Sequence, residues 1–391
     1  MAKDLKDIAK EILNIAGIEI NGKNPWDIKI HDDRFYKKVL SQGSIGLGES
    51  YMDGWWDCDE LDQFFYRLLG SKIDEKIKKE LSFGTKSKIA LKFLSAKLLN
   101  NQSISKSKKV AEMHYNLGND FYQNMLDHEF MQYTCGYWKD AKNLQQAQID
   151  KLKLICEKIH LPKKTDKNKD KVLELGSGFG GFALFAAKNY NCNVLSYNIS
   201  KEQVIYAREK SKNLPIEINE EDYRNAMSPE NKEKFDKVVS IGMMEHVGPK
   251  NYKKFMELMN YCVKEKGLVL IHTISGIRAH DPSHDDPWTK KYIFPGGHLP
   301  AVSEITKAAE GYFKIEDIQN FGHYYDLTLM SWYKNFDKNW PKFKDQYGEK
   351  FYRMWKYYLL SCAGGFRAGN ICLFQVVLSK GNYGKTYVGV R

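Results

Sequence analysis

The sequence predicts an α/β protein, with a seven-stranded, doubly wound, mostly parallel sheet and a smaller, mainly helical domain in front of it. Three observations lead there. Apolar segments of strand length recur through the later two thirds of the chain, separated by segments of helical period. One of them breaks into a glycine-rich turn at residues 171–181 and then into a helical pattern. A polar stretch, 100–107, separates this from an N-terminal third of different composition. At 391 residues and 42% hydrophobic, the chain is large enough for two buried cores. We place the boundary in the polar stretch, giving domains 1–105 and 106–391.

Residues 1–105 mix short helical and turn patterns, including the glycine- and aromatic-rich run 43–56. Helical patterns follow at 110–126 and 144–159, with a loop around 133–136 between them. Strands are expected at 172–175, 194–198, 216–218, 237–241 and 268–273, each followed by a helical segment in the βαβ rhythm. Ser200 and Gln203 read as a capping box for the helix after the second of these strands, and Pro249 suits the first turn of a later one. Strands at 313–319 and 372–379 are expected to close the sheet as a hairpin.

In the turn, Gly176 and Gly178 allow a sharp bend and close approach of a ligand to the backbone, and Gly181 lets the following helix start close to the strand. The same glycines satisfy the dinucleotide fingerprint and the acidic-x-G-x-G loop of S-adenosylmethionine (SAM) methyltransferases. A dinucleotide site wants an acidic residue at the end of the second strand, where this chain has Asn198. Glu174, two residues before Gly176, and Glu221 and Asp222, after the third apolar run, instead occupy the positions of the acidic residues around SAM. The pattern favours a class I SAM methyltransferase fold. It leaves open NAD, or a glycine turn that closes an α/β unit without a ligand.

The net charge is +11, and residues 67–109 carry twelve basic side chains against three acidic ones. Within them, 88–99 reads as a basic amphipathic helix. It suits an anionic membrane surface, where each nearby lysine gains on the order of 1 kcal/mol, and equally suits an ordinary packed helix with solvated lysines. No nucleic-acid reading motif accompanies the charge, so no nucleic-acid partner is expected. No apolar run reaches the roughly 20 residues of a membrane span, and the charged N-terminus does not resemble a secretory signal, so a cytoplasmic protein is expected. Seven scattered cysteines without close pairs indicate neither a disulfide frame nor a metal site.

Ligands of open α/β sheets bind beyond the carboxyl ends of the strands, and two groups fall there: residues 244–246, containing Glu245 and His246, and 272–275, containing His272. Cys135 lies among aromatics in a loop with no electropositive neighbours in sequence, which favours hydrogen bonding or packing over nucleophilic catalysis. The aromatic C-terminal part, 292–298, 321–325 and 354–367, implies a large apolar substrate and rings able to stabilise a passing cation.

With these motifs in view (114–120, 130–135, 244–252, 270–273, 286–288, 291–296 and 362–367), the chain resembles the cyclopropane-fatty-acyl-phospholipid synthases and their mycolic acid relatives over nearly its whole length. The resemblance implies methylene transfer from SAM to the cis double bond of an unsaturated phospholipid acyl chain. It passes through a carbocation that a bound bicarbonate deprotonates. By match of motif, bicarbonate is held by Cys135, Glu245, His272, the backbone of Ile274 and Tyr325, and Cys362 is a further residue regarded as catalytic, for which packing is our preferred role. SAM falls to Tyr133, Thr134, Glu174, Gly176, Gly178, Asn198, Ile199, Gln203, Glu221 and Asp222. The resemblance further implies a lipid-binding N-terminal domain, a homodimer, and peripheral association with the inner face of the membrane, favouring anionic lipids. Ser177, Phe179, Asn198 and Ser275 depart from the family pattern, and Ser275, beside the bicarbonate site, is the departure of most consequence. Two alternatives stand beside this reading: a fatty acyl methyltransferase that leaves a methyl branch, and a non-catalytic lipid-binding paralogue, in which the glycine loop or cage residues should be eroded.

Overall fold

The computed structural model describes residues 4–71, 117–282, 285–384 and 386–391. The basic segment 88–99, the polar stretch 100–107 and the start of the 114–120 motif lie outside the described residues. The chain forms two compact units. The first comprises Met1–Leu117, Ser283–Pro295 and Trp332–Asn370, the second Gly118–Pro282, Gly296–Ser331 and Ile371–Arg391. The two later segments of the first unit fall in the sequence-assigned domain 106–391.

In the first unit, helices Leu5–Asn14, Arg34–Gln42, Ser44–Met52 and Leu61–Gly70 accompany a short antiparallel pair, β1 (Lys29–Ile30) and β2 (Trp56–Asp57). Helices Pro287–Tyr292 and Lys344–Arg367 join them from far along the chain. Their aromatics form the core: the ring of Tyr357 lies 4.4 Å from Trp288, 5.0 Å from Phe65 and 5.6 Å from Tyr51, centroid to centroid. Glu49 accepts hydrogen bonds from Lys291 at 2.6 Å and the Tyr292 hydroxyl at 2.9 Å, and Arg367 donates to Asp62 at 2.7 Å. The motif residues Trp288, Lys291, Tyr292 and Arg367 therefore build this unit. Trp355, Tyr357 and Tyr358, from the aromatic stretch 354–367, are buried.

In the second unit, β3 (Asp170–Leu175), β4 (Cys192–Asn198), β5 (Ile216–Glu220), β6 (Phe235–Ile241), β7 (Val263–Gly276), β8 (Lys314–Asn320) and β9 (Ile371–Ser379) form one sheet in the order β5-β4-β3-β6-β7-β9-β8. All neighbours are parallel except those of β9, which runs antiparallel to β7 and β8. Alternate residues face opposite layers. Val172, Val194, Val239 and Leu270 pack with Phe182 and Ile155 on one side. Leu173, Val238, Ile271 and Val376 pack with Phe255, Met256 and Ile305 on the other. Covering both faces explains why the central strands read as unbroken apolar runs. The order reverses at β3, which opens a crevice beyond the carboxyl ends of β3, β4, β6 and β7.

Two local expectations fail. β8 and β9 pair as expected but are not a hairpin, because helices His323–Asn339 and Lys344–Arg367 intervene. Ser200 makes no side-chain cap, and Gln203 instead accepts from the Asn198 amide at 3.0 Å. The side-chain amide of Asn198 competes successfully for the glutamine because it is fixed at the end of β4.

Candidate active site

The glycine turn leaves β3 with φ of 85° at Gly176 and 51° at Gly178, conformations that favour glycine. The N–H groups of Gly176 and Ser177 both donate to the Tyr197 carbonyl at 3.1 Å, which ties the turn to the end of β4. Asn198 continues the tie: its amide donates to the Gly178 carbonyl at 2.8 Å and to Gln203, and its oxygen accepts from the Ser200 N–H at 3.0 Å. A threonine, with a single hydroxyl donor, would not serve both acceptors. Gly181 differs from its expected role. A Cβ there would meet the carbonyl of Phe130 and the amide of Gln132, so the close approach is to the 130–132 segment and not to the strand.

Glu174 is buried on β3 and accepts from the hydroxyl of Ser196, its register partner on β4, at 2.6 Å. Burial pushes its carboxyl up to about 7. Ile199 is 75% exposed just past β4. Glu221 and Asp222 follow β5, whose last residue pairs with Asn198. Asp222 accepts from the backbone and guanidinium of Arg224, and Glu221 from Asn225 at 3.1 Å.

The segment carrying Tyr133 and Thr134 is held by buried polar groups that no motif marks. The carboxylate of Asp127 accepts from the N–H groups of Phe130 at 2.8 Å and Gln132 at 2.7 Å. Lys151, fully buried on helix Leu144–Lys158, donates to the Gln132 side chain and to the Thr134 hydroxyl at 3.0 Å. Burial pushes Lys151 down to about 7. Gln148, one turn earlier on that helix, donates to the Thr134 carbonyl at 2.8 Å. Tyr133 packs edge-on against Tyr122, which also touches Phe179 of the glycine turn.

Of the residues expected to hold the anion, Glu245 bonds Ile274 directly, His272 stands two residues before Ile274 on β7, and the loop of Cys135 is tied to helix His323–Asn339, which carries Tyr325. Glu245, on the short helix Met244–Val247 after β6, accepts from the Ile274 N–H at 2.6 Å. Its burial raises the carboxyl to about 7, partly opposed by that hydrogen bond. His272, two residues before Ile274 on β7, lies edge-on to Phe321 at 5.8 Å and is held well below the usual imidazole range by burial, so its ring is neutral. The loop of Cys135 is pinned by Thr328: the threonine hydroxyl accepts from the Gly136 N–H at 3.1 Å and the Trp138 indole at 2.9 Å. Thr328 lies one turn past the buried Tyr325 on helix His323–Asn339. Cys135 is fully buried, and burial raises its thiol, so it is a hydrogen-bonding thiol and not a thiolate.

Two buried atoms at this place have no protein partner, Glu245 Oε2 and His272 Nε2. Groups so placed cost about 1–3 kcal/mol each when unsatisfied, and the pair suits a small polar ligand able to accept and share protons. Ser275 does not interfere: its hydroxyl donates to the Pro300 carbonyl. His246 is exposed on the same short helix. Cys362 belongs to the first unit, on helix Lys344–Arg367, where burial pushes its thiol up to about 12. All seven cysteines are unpaired.

Residues 102–376 match the mycolic acid cyclopropane synthetase family. The chain is 46% identical over 374 residues to cyclopropane-fatty-acyl-phospholipid synthase of Escherichia coli K12, covering 96% of this chain and 93% of that protein. It is 34% identical over 282 residues to a probable fatty acid methyltransferase of Pseudomonas putida, covering 68% of each. Among solved structures, mycolic acid cyclopropane synthase CmaA1 complexed with SAH and CTAB superposes with a TM-score of 0.61 at 27% identity, covering 70% of this chain and 98% of that one. The cyclopropane synthase MmaA2 from Mycobacterium tuberculosis shares the fold, with a TM-score of 0.62 at 23% identity, covering 72% and 100%.

Proposed function

The chain belongs to the mycolic acid cyclopropane synthetase family, whose SAM-dependent members cyclopropanate lipids, and on that premise we propose that it acts on unsaturated acyl chains of membrane phospholipids. The observation that carries the chemistry is the pair of unsatisfied buried atoms, Glu245 Oε2 and His272 Nε2, at the carboxyl ends of β6 and β7. They fit a small oxyanion, and bicarbonate is the group we assign there. When bound, bicarbonate supplies the base for the proton that leaves the methylated chain.

The reaction itself begins on the substrates. The alkene attacks the sulfonium methyl, the methyl–sulfur bond breaks, and the carbocation closes to a ring as the new methyl loses a proton. The protein's part is to orient and to exclude water. Gly176 and Gly178 leave backbone room for SAM, with Asn198 and Gln203 fixing the turn, Ile199, Glu221 and Asp222 on the adenosine side, and Tyr133, Thr134 and Glu174 toward the methionine. Glu245 holds a proton in the cage, because a bare carboxylate beside an oxyanion would repel it. The Ile274 N–H fixes that carboxyl, while Cys135, His272 and Tyr325 complete a set of weak, dry hydrogen bonds that gives the cation no strong nucleophile.

Incubation with SAM and unsaturated phospholipid vesicles, followed by mass analysis of the acyl chains, tests the reading. A ring is expected. A methyl branch, two hydrogens heavier, supports the alternative suggested by the Pseudomonas putida match. Glu245→Ala and His272→Ala should each abolish ring formation while SAM still binds; full activity in both removes the cage. Membrane contact through the basic segment 88–99 and a homodimer belong to the same proposal, and rest on sequence and family likeness. Among the described residues no helix is long and apolar enough to cross a membrane.

A further inference from the structure

We propose that Gln375 is a positioning residue that fixes His272 as the Nε2–H tautomer, so that the imidazole gives the active-site anion a hydrogen bond and offers no lone pair to take a proton. The inference rests on the reading of His272 as part of the anion cage. Its structural basis lies in the sheet. β7 and β9 pair antiparallel with His272 directly opposite Gln375, 103 residues later. The Gln375 amide nitrogen is 3.2 Å from His272 Nδ1, and both residues are buried, at 0% and 1% exposure. Phe321 covers the ring edge-on and limits its rotation.

A neutral imidazole carries one N–H, and its place is set by what faces each nitrogen. If the Gln375 amide nitrogen faces Nδ1, it donates to the ring's lone pair, and the ring proton must sit on Nε2. The glutamine carbonyl is then the atom left over, and the Gln375 Oε1 has no partner. If the amide is reversed, the ring proton moves to Nδ1 and both N–H donors of the amide are left over. A buried carbonyl short of a partner is tolerated more readily than orphaned N–H groups, so the first arrangement wins. It also makes His272 Nε2, which has no protein partner, a donor and not a lone pair.

An amide in this position differs from the carboxylate that commonly orients a histidine. A carboxylate accepts, forces the proton onto Nδ1, and makes Nε2 a base. Gln375 does the opposite. His272 is thereby excluded as the group that deprotonates the methylated intermediate, and its contribution is orientation and charge stabilisation.

The test is nitrogen NMR of the full-length enzyme labelled with 15N-histidine, with His272→Ala used to assign the signal among ten histidines. Wild type should show a protonated Nε2 and an unprotonated Nδ1. Gln375→Glu should move the proton to Nδ1 and lower kcat by on the order of 10²–10⁴-fold, with KM for SAM unchanged. Gln375→Met, which keeps the buried volume, should lower kcat by about tenfold and give mixed tautomers. An Nδ1–H tautomer in wild type, or undiminished kcat in Gln375→Glu with the proton moved, overturns the inference. The wild-type spectrum decides even if the glutamate variant does not fold. Activity of His272→Ala separates the two readings: full activity removes the cage, whereas loss of activity beside a wild-type Nδ1–H tautomer leaves the cage standing and removes only the role of Gln375.

Discussion

Gly181→Ala asks whether the helix after the glycine turn must touch the segment that carries Tyr133 and Thr134. Gly181 opens helix Gly181–Asn189 with ordinary negative φ, so alanine is conformationally allowed and gains up to about 1 kcal/mol of helix propensity. The space is not there. An added Cβ would overlap the carbonyl oxygen of Phe130 and lie 2.9 Å from its carbonyl carbon, and these are backbone atoms that no rotamer change can move. To reach an ordinary contact the 130–132 segment must retreat by about 1 Å. That movement strains the Gln132 amide bond to the Phe130 carbonyl at 3.1 Å and the two N–H bonds to Asp127. Overpacking of this kind costs about 1–3 kcal/mol, and a contact with fixed backbone belongs at the upper end, so after the propensity gain a net loss of up to about 2 kcal/mol is expected. Urea unfolding measures it. Because Thr134 hangs from the same segment through Lys151 and Gln148, calorimetric SAM affinity should fall by about tenfold, which is about 1.4 kcal/mol. For stability alone, Gly178→Ala is the comparison: its Cβ meets no protein atom, and in unfolding only the φ of 51° opposes it, at about 1–2 kcal/mol. Unchanged stability and unchanged SAM affinity in Gly181→Ala would refute the account of how the two halves of the cofactor site are held together.

Glu245→Gln keeps an acceptor for the Ile274 N–H and a donor toward the cage, so it should retain at least tenfold more ring formation than Glu245→Ala, read by mass analysis of acyl chains. The same residue predicts a pH effect. A carboxyl raised from 4.5 to about 7 binds more protons folded than unfolded between those values, so its contribution to stability is full below about 4.5 and declines as pH rises through about 7. The stability difference between wild type and Glu245→Gln should therefore shift against wild type by about 1–3 kcal/mol from pH 4.5 to 7.5, and a flat difference in urea titrations would contradict the burial argument. In the first unit, Gly48→Ala would press a Cβ into the indole of Trp288, 2.8 Å from Cε2, and should cost about 1–3 kcal/mol in thermal or urea unfolding. Replacing Lys88, Lys92 and Lys97 by glutamine should weaken sedimentation with anionic vesicles by roughly 1 kcal/mol per lysine; equal binding would return that segment to an ordinary solvated face.

What the sequence determined by itself was local. Strand-length apolar runs marked the central strands β3, β4, β6 and β7, because a layer covered on both faces leaves few polar positions in its centre, whereas the edge strand β8 is mostly polar. Glycines at positive φ marked the cofactor turn, and residues just past β6 and β7 marked the place for chemistry, because open α/β sheets collect ligands there. Family motifs drew attention to Cys135 and Tyr325, whose spacing alone says nothing. Tertiary structure decided the partners. Lys151, Thr328 and Gln375 carry no motif; each matters through a residue far along the chain, Thr328 by holding the loop of Cys135 and Gln375 by standing opposite His272. It also sent the aromatic C-terminal stretch into the core of the helical unit, where Tyr357 meets Trp288. Propensity, turn chemistry and period act over a few residues and can be read in order. Which buried polar group meets which is fixed only when strand register and helix packing bring distant segments into one dry space, where an unmade hydrogen bond is too costly to leave.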